Sequence, residues 1–81
     1  MAMWNCMLLE HNRAPMGTAW SQVHALGPDN AVKAYCKDQG DLWKPGDIGR
    51  VQTMEDGFVG EPRDFDVRMR LNGTFSVNLD E

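Results

Sequence analysis

The last third of the chain carries the pattern that most narrows its fold. Phe65, Val67, Met69 and Leu71 alternate with Asp66, Arg68 and Arg70, and beyond Asn72-Gly73 a second run sets Phe75, Val77 and Leu79 against Ser76 and Asn78. A period of two in adjacent runs separated by Asn-Gly predicts an antiparallel hairpin. The length of its turn decides which faces meet, because a slip of one residue sends every side chain to the other face. A two-residue Asn72-Gly73 loop would set Met69 opposite Ser76 and Val67 opposite Asn78, splitting the apolar faces. A three-residue loop, Leu71-Asn72-Gly73, with Gly73 left-handed in a type I turn plus bulge, pairs Met69 with Phe75, Val67 with Val77 and Phe65 with Leu79. The bulged loop is therefore predicted. Its opposite face carries Asp66, Arg68, Arg70, Thr74, Ser76 and Asn78, a surface suited to water or to a partner.

The preceding segments add strands and one helix. Residues 3–9 (MWNCMLL) read as a strand apolar on both faces and hence central in a sheet. Residues 11–17 read as a loop punctuated by Pro15 and Gly17. In residues 18–26, Ala19, Ser21, Val23 and Ala25 alternate with Trp20, Gln22, His24 and Leu26, which favours a strand over a short helix. Gly27-Pro28-Asp29 places a proline at a first helical position and an acid in the first turn. Val32, Tyr35, Cys36 and Gln39 follow at i, i+3, i+4 and i+7, so Val32, Tyr35 and Cys36 mark an inward stripe while Lys33 and Lys37 face water. Gly40 is the expected stop, giving a helix over residues 28–39. Residues 41–49 read as a connector, 50–55 as a strand, and 56–62 as a loop with an exposed Phe58-Val59 pair.

The order ββαβββ predicts an α+β domain: an antiparallel sheet of four to five strands with one helix packed on a face. The alternative is a small barrel, because residues 44–51 (KPGDIGRV) resemble the entry into SH3-like barrels, where a Gly-Asp-x-Gly turn leads into a strand. That resemblance implies a closed barrel and, in function, an accessory subunit of an enzyme complex. Eighty-one residues make a single domain. A chain of this size buries about 60 to 65 % of its unfolded surface. No apolar run approaches the roughly 18 residues of a membrane span, and no signal or transit peptide opens the chain, so a cytoplasmic setting is expected. In such a reducing compartment Cys6 and Cys36 are expected as free thiols.

Catalytic and cofactor chemistry finds little support in the residues. Cys6 and Cys36 stand 30 positions apart, and neither His11 nor His24 lies near them in the chain. Zinc ligands usually cluster in pairs, so no metal site is expected. Cys36 falls on the apolar helix stripe and Cys6 in an apolar strand, settings of structural rather than nucleophilic thiols. His11, in a loop beside Asn12 and Arg13, reads as the more accessible histidine and the first to test for proton chemistry. His24 reads as structural. Gly46-Asp47-Ile48-Gly49 lacks the lysine or helix start of a phosphate loop, and no cofactor is expected. Asp64 and Asp66 share a strand face, but Arg63 and Arg68 lie beside them, so ion pairing explains them more simply than a metal does.

Charge gives the remaining functional lead. The net charge is −4, and residues 1–40 balance three acids (Glu10, Asp29, Asp38) against three bases (Arg13, Lys33, Lys37). The whole excess lies in residues 41–81, where nine acids face five bases. Direct nucleic-acid binding through a basic footprint is therefore not expected, and an acidic surface aimed at a basic partner is. The residues assigned to that surface are Asp41, Trp43, Asp47, Glu55, Asp56, Phe58, Glu61, Asp64 and Asp66, with Trp43 and Phe58 as exposed aromatic anchors. The competing reading of Trp43 is a lid on the open end of the core. The expected function is a small acidic, non-enzymatic interaction protein, monomer or homodimer, that binds and inhibits or modulates a larger protein with a basic surface, away from membranes. In size and charge it is similar to inhibitors encoded by phages and mobile elements, anti-CRISPR and other anti-defence proteins among them.

Overall fold

Strand β1 (Ala2–His11) is the centre on which the remaining elements assemble. In the computed structural model, which describes residues 2–17, 19–57 and 61–80, the other elements are β2 (Ala14–Pro15), β3 (Ser21–Ala25), α1 (Pro28–Asp38), a 3-10 turn (Gly40–Leu42), β4 (Ile48–Glu55), β5 (Arg63–Met69) and β6 (Phe75–Leu79). On one side β1 pairs with β4, and on the other it pairs with β3 at its start and β2 at its end. The order continues through β4 and β5 to β6, every pair antiparallel. This is the expected α+β architecture of one helix on an antiparallel sheet.

The closed barrel drawn from residues 44–51 is not formed. Among the described residues the sheet remains open between β6 and the β2/β3 edge, and α1 packs across one face, touching β1, β3, β4 and β6. Asp47 and Gly49 do lead into a strand, but the strand joins an open sheet. The accessory-subunit reading, which rested on the barrel, loses its structural basis.

The final hairpin has the predicted register: Met69 opposite Phe75, Val67 opposite Val77 and Phe65 opposite Leu79. Its three-residue loop is closed by the Arg70 N–H donating to the Thr74 carbonyl at 2.8 Å. Gly73 takes φ 86°, a conformation that costs a glycine little. Asn72 locks the turn, its Oδ1 accepting from both the backbone N–H (3.1 Å) and the hydroxyl (2.7 Å) of Thr74.

Helix α1 begins with Pro28 after an extended Gly27 and ends one residue short of the expected boundary, at Asp38. Gly40 at φ 57° breaks the helical path, after which the chain makes one tight 3-10 turn. Ala31, Val32, Tyr35 and Cys36 are buried, as the stripe requires. Tyr35 also supports β1. Leu8 lies on β1 between the stretches that pair with β3 and β2. Its N–H donates to the Tyr35 hydroxyl at 3.1 Å.

Two features of β1 were not expected. The register with β4 slips between Leu8 and Glu10, so that Leu8 faces Val51 but Glu10 faces Arg50 and His11 faces Gly49. This bulge sends Glu10 to the outer face and His11 to the helix side. The segment 11–17 is also more ordered than a loop: Asn12 and Arg13, at φ 51° and 68°, make a tight reversal that returns Ala14–Pro15 to pair with β1.

The core lies between the sheet and α1. Cys6, Leu8, Val51 and Thr53 are fully or almost fully buried from the central strands, and Val23, Ala25, Phe65 and Val67 from their neighbours. Trp43 closes this core at the end where β4 starts, with its ring seated on Gly49. A Cβ on Gly49 would lie 2.6 Å from Trp43 Cη2 and 2.8 Å from the Glu10 carbonyl oxygen. The backbone oxygen cannot swing away as a side chain can. Gly49→Ala should therefore cost about 2 kcal/mol through overpacking, read as a lower midpoint in urea with an unchanged slope.

Candidate functional site

The structure separates the acidic residues that the sequence grouped. Asp47 precedes β4 and Glu55 ends it, a separation of roughly 25 Å along an extended strand.

At the β4 start, Trp43 is 4 % exposed, which corrects its assignment as an exposed anchor. Its ring meets His11 edge-on at 4.9 Å and Phe75 edge-on at 5.5 Å, and its Nε1 donates to Gln39 Oε1 at 2.8 Å. A large ring in a polar connector is drawn in here because Gly49 leaves a place for it. Asp47 belongs to the same cluster: its carboxylate meets His11 Nε2 at 3.0 Å and accepts the Lys44 N–H at 3.0 Å. The Lys44 N–H first, then the Asn12 and His11 side chains, hold Asp47 below the usual carboxylate range. The His11 side chain is only 14 % exposed, whereas His24 is exposed on β3. The accessibility expected of the two histidines is thus reversed, because the β1 bulge turns His11 inward. Asp41 is exposed in the 3-10 turn, two residues before Trp43.

The opposite end gathers the acids that remain open. Glu55, Asp56 and Glu61 are exposed, and Asp56 is fixed by its N–H donating to the Met3 carbonyl and by Asn5 Nδ2 donating to its Oδ1 at 3.3 Å. Between β4, β5 and the start of α1 lies a hollow of about 270 Å³ lined by Trp4, Pro28, Thr53, Met54, Glu55, Glu61 and Arg63. Its lining combines apolar side chains with two carboxylates and one guanidinium. Phe58, the other expected anchor, lies outside the described residues.

The outer face of the sheet, which α1 leaves uncovered, is neither acidic nor basic. A shallow groove of about 510 Å³ there is lined by Glu10, Arg13, Arg50, Asp66, Arg68, Ser76 and Asn78 among others. Arg50 sits at its centre, 3.2 Å from Asp80 and 3.6 Å from Asp66, and Asp80 and then Glu10 raise its already high pKa. The partner of Asp66 is therefore Arg50, on the neighbouring strand, rather than the Arg68 that chain proximity had suggested. Asp64 accepts from Gln52 Nε2 at 3.1 Å. Both acids are occupied inside the sheet surface.

The two thiols are free and buried. Burial pushes Cys36 up to about 12, with Cys6 nearby contributing, and burial raises Cys6 against a 3.2 Å contact with the Thr53 hydroxyl. Among the described residues no cluster of His, Cys, Asp and Glu is placed to hold a metal ion, and no helix is long and apolar enough to cross a membrane. Compared with protein-family models, curated proteins and solved structures, the chain matches none.

Two outcomes follow from these environments. A carboxylate whose folded pKa lies below its unfolded value stabilises the fold above about pH 4 and stops doing so as the pH falls through the folded value. The melting temperature of Asp47→Asn should lie below that of the parent between about pH 5 and 7, and the gap should close under more acid conditions. The thiols, protonated and enclosed, should resist iodoacetamide at about pH 8 in the native protein and react fully after denaturation.

Proposed function

We propose that this chain is a non-enzymatic binding domain whose acidic end receives a basic side chain from a larger protein. The observation that carries this reading is the hollow where the apolar Trp4, Pro28 and Met54 line the same space as Glu55 and Glu61, two carboxylates against the one cation Arg63. A lysine or arginine stem lies well along apolar surface while its charged head meets carboxylates, and an indole face adds cation–π attraction. Asp56, at the same end of the sheet, adds to the field that would steer such a partner.

The half-chain charge arithmetic supports the same end. Asp64 and Asp66 are engaged by Gln52 and Arg50, and Asp47 by its turn, so the exposed acids are concentrated at Glu55, Glu61 and Asp56, the last also accepting from Asn5, with Asp41 apart. A partner whose basic surface normally holds nucleic acid has the complementary chemistry, which is how an anti-defence inhibitor would act.

The test is an arginine- and lysine-rich peptide titrated into the labelled protein, followed by proton–nitrogen correlation spectra. Shifts should centre on the Trp4 indole N–H, Met54 and Glu55. The double variant Glu55→Lys, Glu61→Lys should slow association about tenfold at low salt and flatten its salt dependence. Unchanged rates and an unchanged salt dependence would remove the acidic end from the binding surface.

A further inference from the structure

β6 ends the sheet, and among the described residues no strand pairs with its outer side. The ladder with β5 tells which backbone groups lie there. The Asp80 N–H donates to the Asp64 carbonyl at 2.9 Å and the Arg70 N–H to the Thr74 carbonyl at 2.8 Å. With Val67 opposite Val77, the even-numbered residues of this strand turn their N–H and C=O groups toward β5. Alternation then turns those of Phe75, Val77 and Leu79 outward, in a row of paired donors and acceptors.

Natural sheets protect such a row with charges, proline, bulges or a very short strand. The other edge shows these devices: it is broken into β2 and β3, and β2 ends in Pro15. Residues 74–79 contain no Asp, Glu, Lys, Arg or Pro, although the chain as a whole carries −4. Leu79 lies on this edge with 42 % of its surface exposed.

We propose that the outer edge of β6 pairs with the same edge of a second copy of this chain, continuing the antiparallel sheet across a twofold axis. The strand is self-complementary in one register. With Val77 opposite Val77 of the second copy, Phe75 stands opposite Leu79, and every outward N–H and C=O of both strands finds a partner. Shifting the pair by two residues leaves part of each row unmade, and shifting by one places the inward-bonded residues at the interface. In the matched register Leu79 covers itself with a phenylalanine ring, Ser76 meets Asn78, and Asp80 meets Thr74 rather than another acid. Two chains of net charge −4 thus approach where neither presents an ionisable side chain within the paired strands, and that selects a second copy over a charged peptide. A contact of this size is smaller than a standard stable interface, so dissociation constants in the micromolar range or weaker are expected.

Sedimentation equilibrium of the full chain up to about 1 mM should show a monomer–dimer equilibrium. Leu79→Pro removes an outward N–H and leaves the β5 ladder intact, and should weaken the dimer about tenfold or more while the circular dichroism spectrum is retained. If that variant does not fold, Val77→Cys supplies the second measurement. Across the twofold axis its Cα atoms would lie about 5.5 Å apart, within disulfide reach, so mild oxidation should give a covalent dimer, and Thr74→Cys should not. A protein monomeric throughout the range, a dimer indifferent to Leu79→Pro in a folded variant, or equal cross-linking at both positions would overturn the proposal. So would saturation of the β6 edge by an unrelated extended peptide in a chain that never self-associates.

Discussion

The seating of the Trp43 indole on the backbone of Gly49 is the contact on which the arrangement of this domain turns. Only a residue without a Cβ fits beneath the ring, since a Cβ there would lie 2.6 Å from Trp43 Cη2, and the ring in turn draws together parts of the chain far apart in sequence. Through Gln39 it fixes the end of α1, through Phe75 it holds the start of β6, and through His11 it holds the end of β1. A helix of 11 residues is marginal by itself. Its stripe of Ala31, Val32, Tyr35 and Cys36 gives it one apolar face, and Trp43 closes the side where that face runs out.

The parts of the fold legible in the sequence are those decided by neighbours along the chain. The hairpin register could be derived because alternation and turn length are coupled: only a three-residue loop brings Phe65, Val67 and Met69 onto the same face as Leu79, Val77 and Phe75. The helix was legible from proline at its start, glycine after its end, and an apolar stripe between. The centrality of β1 could be read from apolar residues on both of its faces. The bulge at Leu8 to Glu10 could not, since nothing in MWNCMLLEH marks which residue the register will skip, and the destinations of Glu10 and His11 follow from it alone.

The candidate site was legible in part and for the same reason. Net charge by halves located the acidic excess, but counting does not show which carboxylates the fold consumes. Arg50 and Asp66 lie 16 positions apart in the chain and become partners only when β4 pairs with β5. Asp47 is consumed by a turn and by a histidine that the bulge delivers. Of the two readings of Trp43, exposed anchor and lid on the core, its burial bears out the lid, and a polar connector alone could not decide between them. The signal available was the juxtaposition of one tryptophan with a Gly-Asp-Ile-Gly turn, which permits close approach of a ring to backbone.

A sheet with one helix has a limited number of surfaces to offer, and this chain assigns them different chemistry. The helix side is spent on the core. The outer face is a patch of opposite charges around Arg50, which is paired with Asp66 and Asp80, so a partner binding at Arg50 would have to compete with those pairs. The β4 end presents two carboxylates and Arg63 beside apolar side chains, and among the described residues no ion pair forms there. The β6 edge presents backbone donors and acceptors with no charge at all. The two surfaces with unfilled bonding capacity therefore differ in kind, one electrostatic and one directional. They also lie on separate parts of the fold, so occupation of one need not obstruct the other.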